Sequence, residues 1–152
     1  MKNIKMWDIL KNKDKRRLQQ EDGVFLSYGQ VDEFGERLLH VLEERCLIFI
    51  LCRNSIGAVA GYISFVNHRI VPVLLNEHIE KRMLDSLLSL YRPLYLWGPV
   101  ERADQMQGQI VFEEYGYCLI KMEYGMLYTI HDELGLLLTT SGSTGSPKFV
   151  RQ

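Results

Sequence analysis

Short apolar runs alternate with helix-periodic segments over the first two thirds of the chain, and this pattern limits the possible folds more than any other feature. Leu47 to Cys52 (LIFILC) is a continuous apolar run with β-branched and aromatic members. Its lack of alternation suits a strand covered on both faces. Val24–Tyr28 (VFLSY), Ile70–Leu75 (IVPVLL) and Leu94–Trp97 (LYLW) read as further strands. Between them lie three helical segments. In 30–44, Val31, Phe34, Leu38, Val41 and Leu42 share a face. In 55–67 the shared positions are Val59, Ile63 and Val66; in 78–91 they are Ile79, Met83, Leu84, Leu87, Leu88 and Tyr91. Strand–helix alternation of this kind implies repeated βαβ crossovers. The expected class is α/β: three layers, with a mostly parallel sheet flanked by helices.

Punctuation supports these segments. Ser27-Tyr28-Gly29-Gln30 has the spacing of a capping box, in which serine and glutamine satisfy each other's free backbone N–H groups. Asn54 or Ser55 is the expected cap of the second helix. Gly57 and Gly61, four apart, predict close packing of that helix on the sheet; the segment is too short for a membrane dimer motif to apply. Pro72 removes one ladder donor and belongs near a strand end, an edge or a bulge. Pro93 ends the third helix. After Gly98-Pro99 the pattern becomes more β-rich. Ile110–Glu114, Tyr117–Met122 and Gly125–Ile130 read as short strands broken by Gly108, Gly116 and Gly125, and Leu134–Thr139 reads as a buried strand.

Composition narrows the functional classes. The 152 residues carry a formal charge of −1 with a pI near 6.4. A general polyanion binder is usually far more basic, so nucleic acid is not the expected partner. Cys46, Cys52 and Cys118 are odd in number and lack CxxC spacing, which suggests neither a disulfide scaffold nor a zinc site and fits a cytoplasmic compartment. His40, His68, His78 and His131 are scattered, with no pair at metal-ligand spacing, so no metal site is expected. Met1–Leu10 has no apolar core like that of a signal peptide. The longest uncharged apolar stretch, Ile56–Val66, falls well short of the roughly 20 residues of a bilayer span. Residues 11–20 (KNKDKRRLQQ) read as a solvated basic loop or helix end, with an anion-binding patch as the functional alternative. The expected division is an N-terminal extension over 1–23, with a short helix and a basic loop, and an α/β unit over 24–152.

Chemistry concentrates at the end of the chain. Residues 139–148 read Thr139-Thr140-Ser141-Gly142-Ser143-Thr144-Gly145-Ser146-Pro147-Lys148. Glycines there allow successive N–H groups to turn inward as an anion nest. Thr140, Ser141, Ser143 and Thr144 add small hydroxyl donors, and Lys148 adds a positive charge. The set suits a polyphosphate, although composition alone fits a surface Ser/Gly loop equally well. The spacing is neither GxxxxGK[ST] nor GxGxxG, which excludes the Walker A and dinucleotide fingerprints.

The order of these residues resembles the signature phosphate-binding loop of the adenylate-forming superfamily. That family includes acyl-CoA synthetases, nonribosomal peptide synthetase adenylation domains and luciferases. The family pattern is a hydroxylic residue, then S-G-[ST]-T-G-x-P-K, usually followed by glycine, where this chain has Phe149. Two further segments lie upstream in matching order. Leu26-Ser27-Tyr28-Gly29-Gln30-Val31 is similar to L-[TS]-Y-x-E-L. Phe65–Leu75 (FVNHRIVPVLL) occupies the place of L-K-A-G-x-x-Y-V-P-I-D, with Pro72 retained and Asn67-His68-Arg69 in place of K-A-G.

The resemblance implies the N-terminal subdomain of an AMP-binding ligase, ending at its phosphate loop. Such enzymes use ATP and Mg²⁺ to convert a small carboxylic acid into an acyl-adenylate. The acyl group then passes to a thiol, from coenzyme A or from the phosphopantetheine of an acyl or peptidyl carrier protein. Thr140, Ser141, Gly142, Ser143, Thr144, Gly145 and Lys148 would hold the β- and γ-phosphates. The family's Y-G-x-[ST]-E segment, ribose-binding aspartate, hinge and C-terminal catalytic lysine have no counterpart in the 152 residues. This implies a fragment, inactive alone, that works with the remaining ligase subdomains in cis or in trans. Two other readings stand beside it: a non-catalytic interaction module or split-enzyme subunit derived from the family, and an unrelated phosphate-binding α/β protein.

Overall fold

The computed structural model describes residues 17–42, 45–140 and 148–151. A two-stranded ribbon, β1 (Arg17–Gln19) with β2 (Phe25–Ser27), leads into helix α1 (Tyr28–Leu39). Then come β3 (Leu47–Cys52), α2 (Ile56–Asn67), β4 (Val71–Asn76), α3 (Lys81–Tyr91) and β5 (Tyr95–Pro99). A 3-10 helix over Val100–Gln105 precedes the hairpin of β6 (Gly108–Glu114) and β7 (Tyr117–Met122), and the described chain closes with β8 (Leu137–Thr140) and β9 (Lys148–Arg151). Seven of these strands form one sheet, in the order β6-β7-β5-β3-β4-β8-β9.

The centre of the sheet, β5-β3-β4-β8, is parallel throughout. Strand β7 is antiparallel to both β5 and β6, and β9 is antiparallel to β8. Five of the seven strands therefore share one direction, as the alternating pattern predicts. Helices cover both faces. Ile48 and Ile50 of β3 join Phe34, Phe65 and Trp97 in the core under α1 and α2. Leu47, Phe49 and Leu51, on the opposite side of the same strand, pack with Leu84 and Leu87 of α3. Leu47–Leu51 is buried throughout, which is why that run shows no polar alternation.

Local chemistry accounts for the element boundaries. The Ser27 hydroxyl accepts from the Gln30 N–H at 3.1 Å, and the Gln30 side chain accepts from the Ser27 N–H at 2.8 Å, so the capping box is complete. Helix α1 ends at Leu39, five residues earlier than its periodicity suggests. Val41 and Leu42 donate to carbonyls three residues back, and the Tyr95 phenol takes the Val41 carbonyl at 3.3 Å, so that carbonyl is used outside the helix. Ser55, rather than Asn54, caps α2 through the Ala58 N–H. Helix α3 starts at Lys81, because the Asn76 side chain and carbonyl bind His78 and Ile79 in a turn first. Pro72 is the second residue of β4. Val71 donates toward β3, so Pro72 faces the other side, where β8 pairing begins only at Val73.

The glycine pair in α2 is a seat for Trp97. The indole N–H donates to the Gly57 carbonyl at 2.9 Å. A Cβ on Gly57 would lie 2.5 Å from the Tyr115 carbonyl, and one on Gly61 would overlap the indole itself.

Three further segments depart from the sequence pattern. Gly125–Ile130 is not a strand. Its Met126 N–H goes to the Arg92 carbonyl, the Tyr128 phenol goes to the Tyr91 carbonyl, and Gly125 lies against Leu94, so the segment crosses the end of α3 instead of joining a ladder. The β8 strand begins at Leu137 rather than Leu134, because Leu134 closes a turn onto the His131 carbonyl. Part of the basic stretch is strand β1, with Leu18 packed against the core and the Gln20 side chain accepting from the Ile56 N–H at 3.1 Å. The short helix expected before it lies outside the described residues.

Candidate phosphate-binding site

The candidate segment bridges two paired strands. Strand β8 is antiparallel to β9 over its whole length, with Thr140 opposite Lys148 and Thr139 opposite Phe149. Residues 141–147 therefore connect the two ends of a hairpin. Thr140 is the last residue of β8 and Lys148 the first of β9, so two of the predicted site residues are brought side by side. Ser141, Gly142, Ser143, Thr144 and Gly145 lie outside the described residues. Strand β8 is parallel to β4, so the connection leaves the sheet at the carboxyl ends of its parallel strands. Open α/β sheets bind ligands at that end.

A charged cluster sits at the same end of the sheet. Arg53, directly after β3, pairs with Glu101 and lies 3.6 Å from Glu77, and its guanidinium stands 5.4 Å from the centre of the Tyr117 ring. Arg102 donates to the carbonyls of Glu77 and Ile79 and so ties the 3-10 helix to the turn after β4. Arg53 holds the Glu101 carboxyl below the usual carboxylate range. These residues carry no motif in the sequence, and only the sheet topology brings them together.

Tyr117 is buried, and its phenol donates to the Leu51 carbonyl at 2.7 Å. Burial pushes its pKa up to about 12, against the downward pull of Ser55 and Arg53. An unfolded tyrosine titrates near pH 10, roughly two units lower. The stabilisation from the neutral phenol is therefore fully present below pH 10 and is lost as pH rises toward 12. Urea midpoints measured across that window should fall with pH, and Tyr117→Phe should flatten the slope. Equal slopes in the two proteins would contradict the assignment.

Burial also raises the Cys52 thiol, and it raises Cys118 to about 11, in keeping with inert core thiols. Among the described residues, no group of three or more His, Cys, Asp or Glu side chains could hold a metal ion, and no helix is long and apolar enough to cross a membrane.

No family model matches the sequence, and no curated protein does. Solved structures match the fold closely. MatB from Rhodopseudomonas palustris superposes with a TM-score of 0.71 at 16% identity, over 98% of this chain and 34% of its own. The ATP-bound form of MatB gives 0.68 over 93% and 32%, at 17% identity. O-succinylbenzoate coenzyme A synthetase (MenE) from Bacillus subtilis, in complex with AMP, gives 0.60 at 19% identity, over 88% and 37%. The fatty acyl-adenylate ligase from L. pneumophila, in complex with acyl adenylate and pyrophosphate, gives 0.62 at 13% identity, over 98% and 29%. The fold is that of the N-terminal subdomain of adenylate-forming enzymes. The chain spans about a third of the length of these solved structures. The α/β reading of the sequence and its resemblance to this family agree with that result.

Proposed function

We propose that this chain is the N-terminal part of an ATP-dependent carboxylic acid ligase, with residues 24–152 as its α/β subdomain and residues 140–148 as its phosphate-binding loop. One observation carries the reading. The sequence TTSGSTGSPK ends β8 at Thr140, at the carboxyl end of a parallel strand, and opens the paired β9 at Lys148. It does so in a fold otherwise seen in acyl-adenylate ligases.

A carboxylate is a poor electrophile, because attack at its carbon must expel oxide. ATP supplies the remedy: a carboxylate oxygen attacks the α-phosphorus, pyrophosphate leaves, and the acyl carbon gains AMP as a leaving group. A thiol sulfur then attacks that carbon and AMP departs, giving a thioester on coenzyme A or on a carrier protein. The loop acts in the first step. Hydroxyls of Thr140, Ser141, Ser143 and Thr144, N–H groups freed by Gly142 and Gly145, and the Lys148 ammonium hold the β- and γ-phosphates. They also stabilise the charge that grows on departing pyrophosphate. Mg²⁺ bound together with ATP would neutralise part of that charge. The hydroxyl and ammonium set, with no carboxylate between Thr139 and Lys148, fits this role. Substrate, thiol acceptor and a cytoplasmic location follow from this reading as proposals.

A second reading is a non-catalytic module or split-enzyme subunit acting through protein contacts. It is favoured by Leu90, Tyr124 and Leu127, which are 70%, 62% and 52% exposed. Exchange of pyrophosphate into ATP separates a ligase part, in one chain or split, from a non-catalytic module. The purified chain should give none. Addition of the remaining two thirds of the ligase should give acid-dependent exchange. Exchange by the chain alone would contradict the proposal, and none from the mixture would favour the module.

A further inference from the structure

Little pairing holds β8 on the sheet. Its register with β4 covers Val73–Leu137 and Leu74–Leu138, whereas β3 and β4 pair over six positions. The segment before β8 is instead gripped by one side chain. Arg45, in the connection between α1 and β3, donates from Nη2 to the carbonyls of His131 at 3.1 Å and Leu134 at 2.6 Å, with a longer contact from Nη1 to Ile130. Its Nε donates at 2.9 Å to the Arg69 carbonyl in the turn before β4. The Arg45 side chain is largely covered, at 21% exposure. A planar fork holds its donors at fixed, separated positions that reach carbonyls on two segments, whereas an ammonium gathers its three donors on one nitrogen at the end of a flexible stem.

Arg69 adds a second, independent observation. It adopts φ 62°, in the left-handed region that favours glycine. It closes α2 with the double bond of a Schellman turn: Ile70 N–H to the Phe65 carbonyl and Arg69 N–H to the Val66 carbonyl. The family pattern has glycine in the corresponding K-A-G segment. A strained residue persists where its surroundings require it. Here the Arg69 carbonyl receives Arg45, and its guanidinium reaches Asp132, at 3.1 Å, inside the gripped segment. The Asp132 side chain is 88% exposed, so its ion pairs contribute little, and the carbonyl bonds of Arg45 carry the clamp.

We propose that Arg45, seated on the Arg69 turn, is a positioning residue for β8 and so for the Thr140–Lys148 mouth of the candidate loop. The functional half rests on reading residues 140–148 as a phosphate loop.

Backbone amide exchange of the 152-residue chain tests the clamp, and Mg·ATP titration tests its consequence. In Arg45→Lys and Arg45→Met, the amides of Leu137–Thr139 should exchange about tenfold faster or more, while Leu47–Cys52 keeps its wild-type protection. Asp132→Asn should leave β8 protected. The Mg·ATP-dependent shift at Lys148 should weaken several-fold in Arg45→Lys. Unchanged β8 exchange in Arg45→Met would overturn the clamp. So would β3 and β8 loosening together in Arg45→Lys, since that marks general destabilisation. An Mg·ATP shift at Lys148 that does not weaken would overturn the positioning role. If the wild-type chain shows no Mg·ATP shift at all, the phosphate reading fails, and the positioning of a phosphate loop with it, while the exchange data still decide the clamp.

Discussion

Trp97→Ala should lower the unfolding free energy by about 4 kcal/mol, within the range for removing a buried aromatic from a core. Trp97 is fully buried at the junction of α2, β5 and β7. Its ring centre lies 5.4 Å from that of Tyr117, 6.0 Å from Phe34, 6.1 Å from Phe65 and 6.3 Å from Phe112. Truncation leaves a cavity among four aromatic rings and removes the donor to the Gly57 carbonyl. Gly61 tests this packing independently. Alanine in place of glycine in a helix normally stabilises by about 1 kcal/mol. Here the added Cβ falls on the indole, and overpacking of about 1–3 kcal/mol reverses the sign. Gly61→Ala should destabilise wild-type protein and become neutral or stabilising in the Trp97→Ala background. Urea denaturation followed by far-ultraviolet circular dichroism reads both. A loss below about 1 kcal/mol for Trp97→Ala, or no change of sign at Gly61, would contradict the packing described.

Lys148→Ala should have the largest functional effect. Lys148 opens β9 opposite Thr140, at the position where the loop rejoins the sheet. Losing one preorganised donor to a developing oxyanion typically costs about 100-fold in rate or more. In a ligase reconstituted from this chain and the remaining subdomains, the variant should lower the ATP–pyrophosphate exchange rate by about that factor. Its fold should be intact, because β9 pairs through backbone groups. Exchange within about twofold of wild type would remove Lys148 from the phosphate site, since a lost charged contact is worth more than that.

Most of the central fold was legible because burial and period agree there. LIFILC has only apolar residues to offer both faces of the sheet, and the structure buries them. Ser27 and Gln30 announce a helix start through a mechanism that needs no tertiary partner, and the capping box forms as read. Illegible features all depend on distant partners. Helix α1 stops early because Tyr95, more than fifty residues away, takes the Val41 carbonyl. Gly125–Ile130 has strand-like composition, yet its backbone and phenol are spent on the end of α3. The candidate loop was legible as an ordered string of residues, and the pairing of Thr140 with Lys148 adds that its ends meet. Arg45 was not legible: a lone arginine in a connection carries no spacing signal, and its carbonyl partners lie 24 to 89 positions away.

Titrating the isotopically labelled chain with Mg·ATP at millimolar concentration asks whether residues 140–148 bind nucleotide phosphates. Saturable shifts are expected in the amides of Thr140–Lys148, with none in α1 and loss of the shifts in Lys148→Ala. An intact fold with no shift in that segment, or shifts confined to the Arg53–Arg102 cluster, would contradict phosphate binding there.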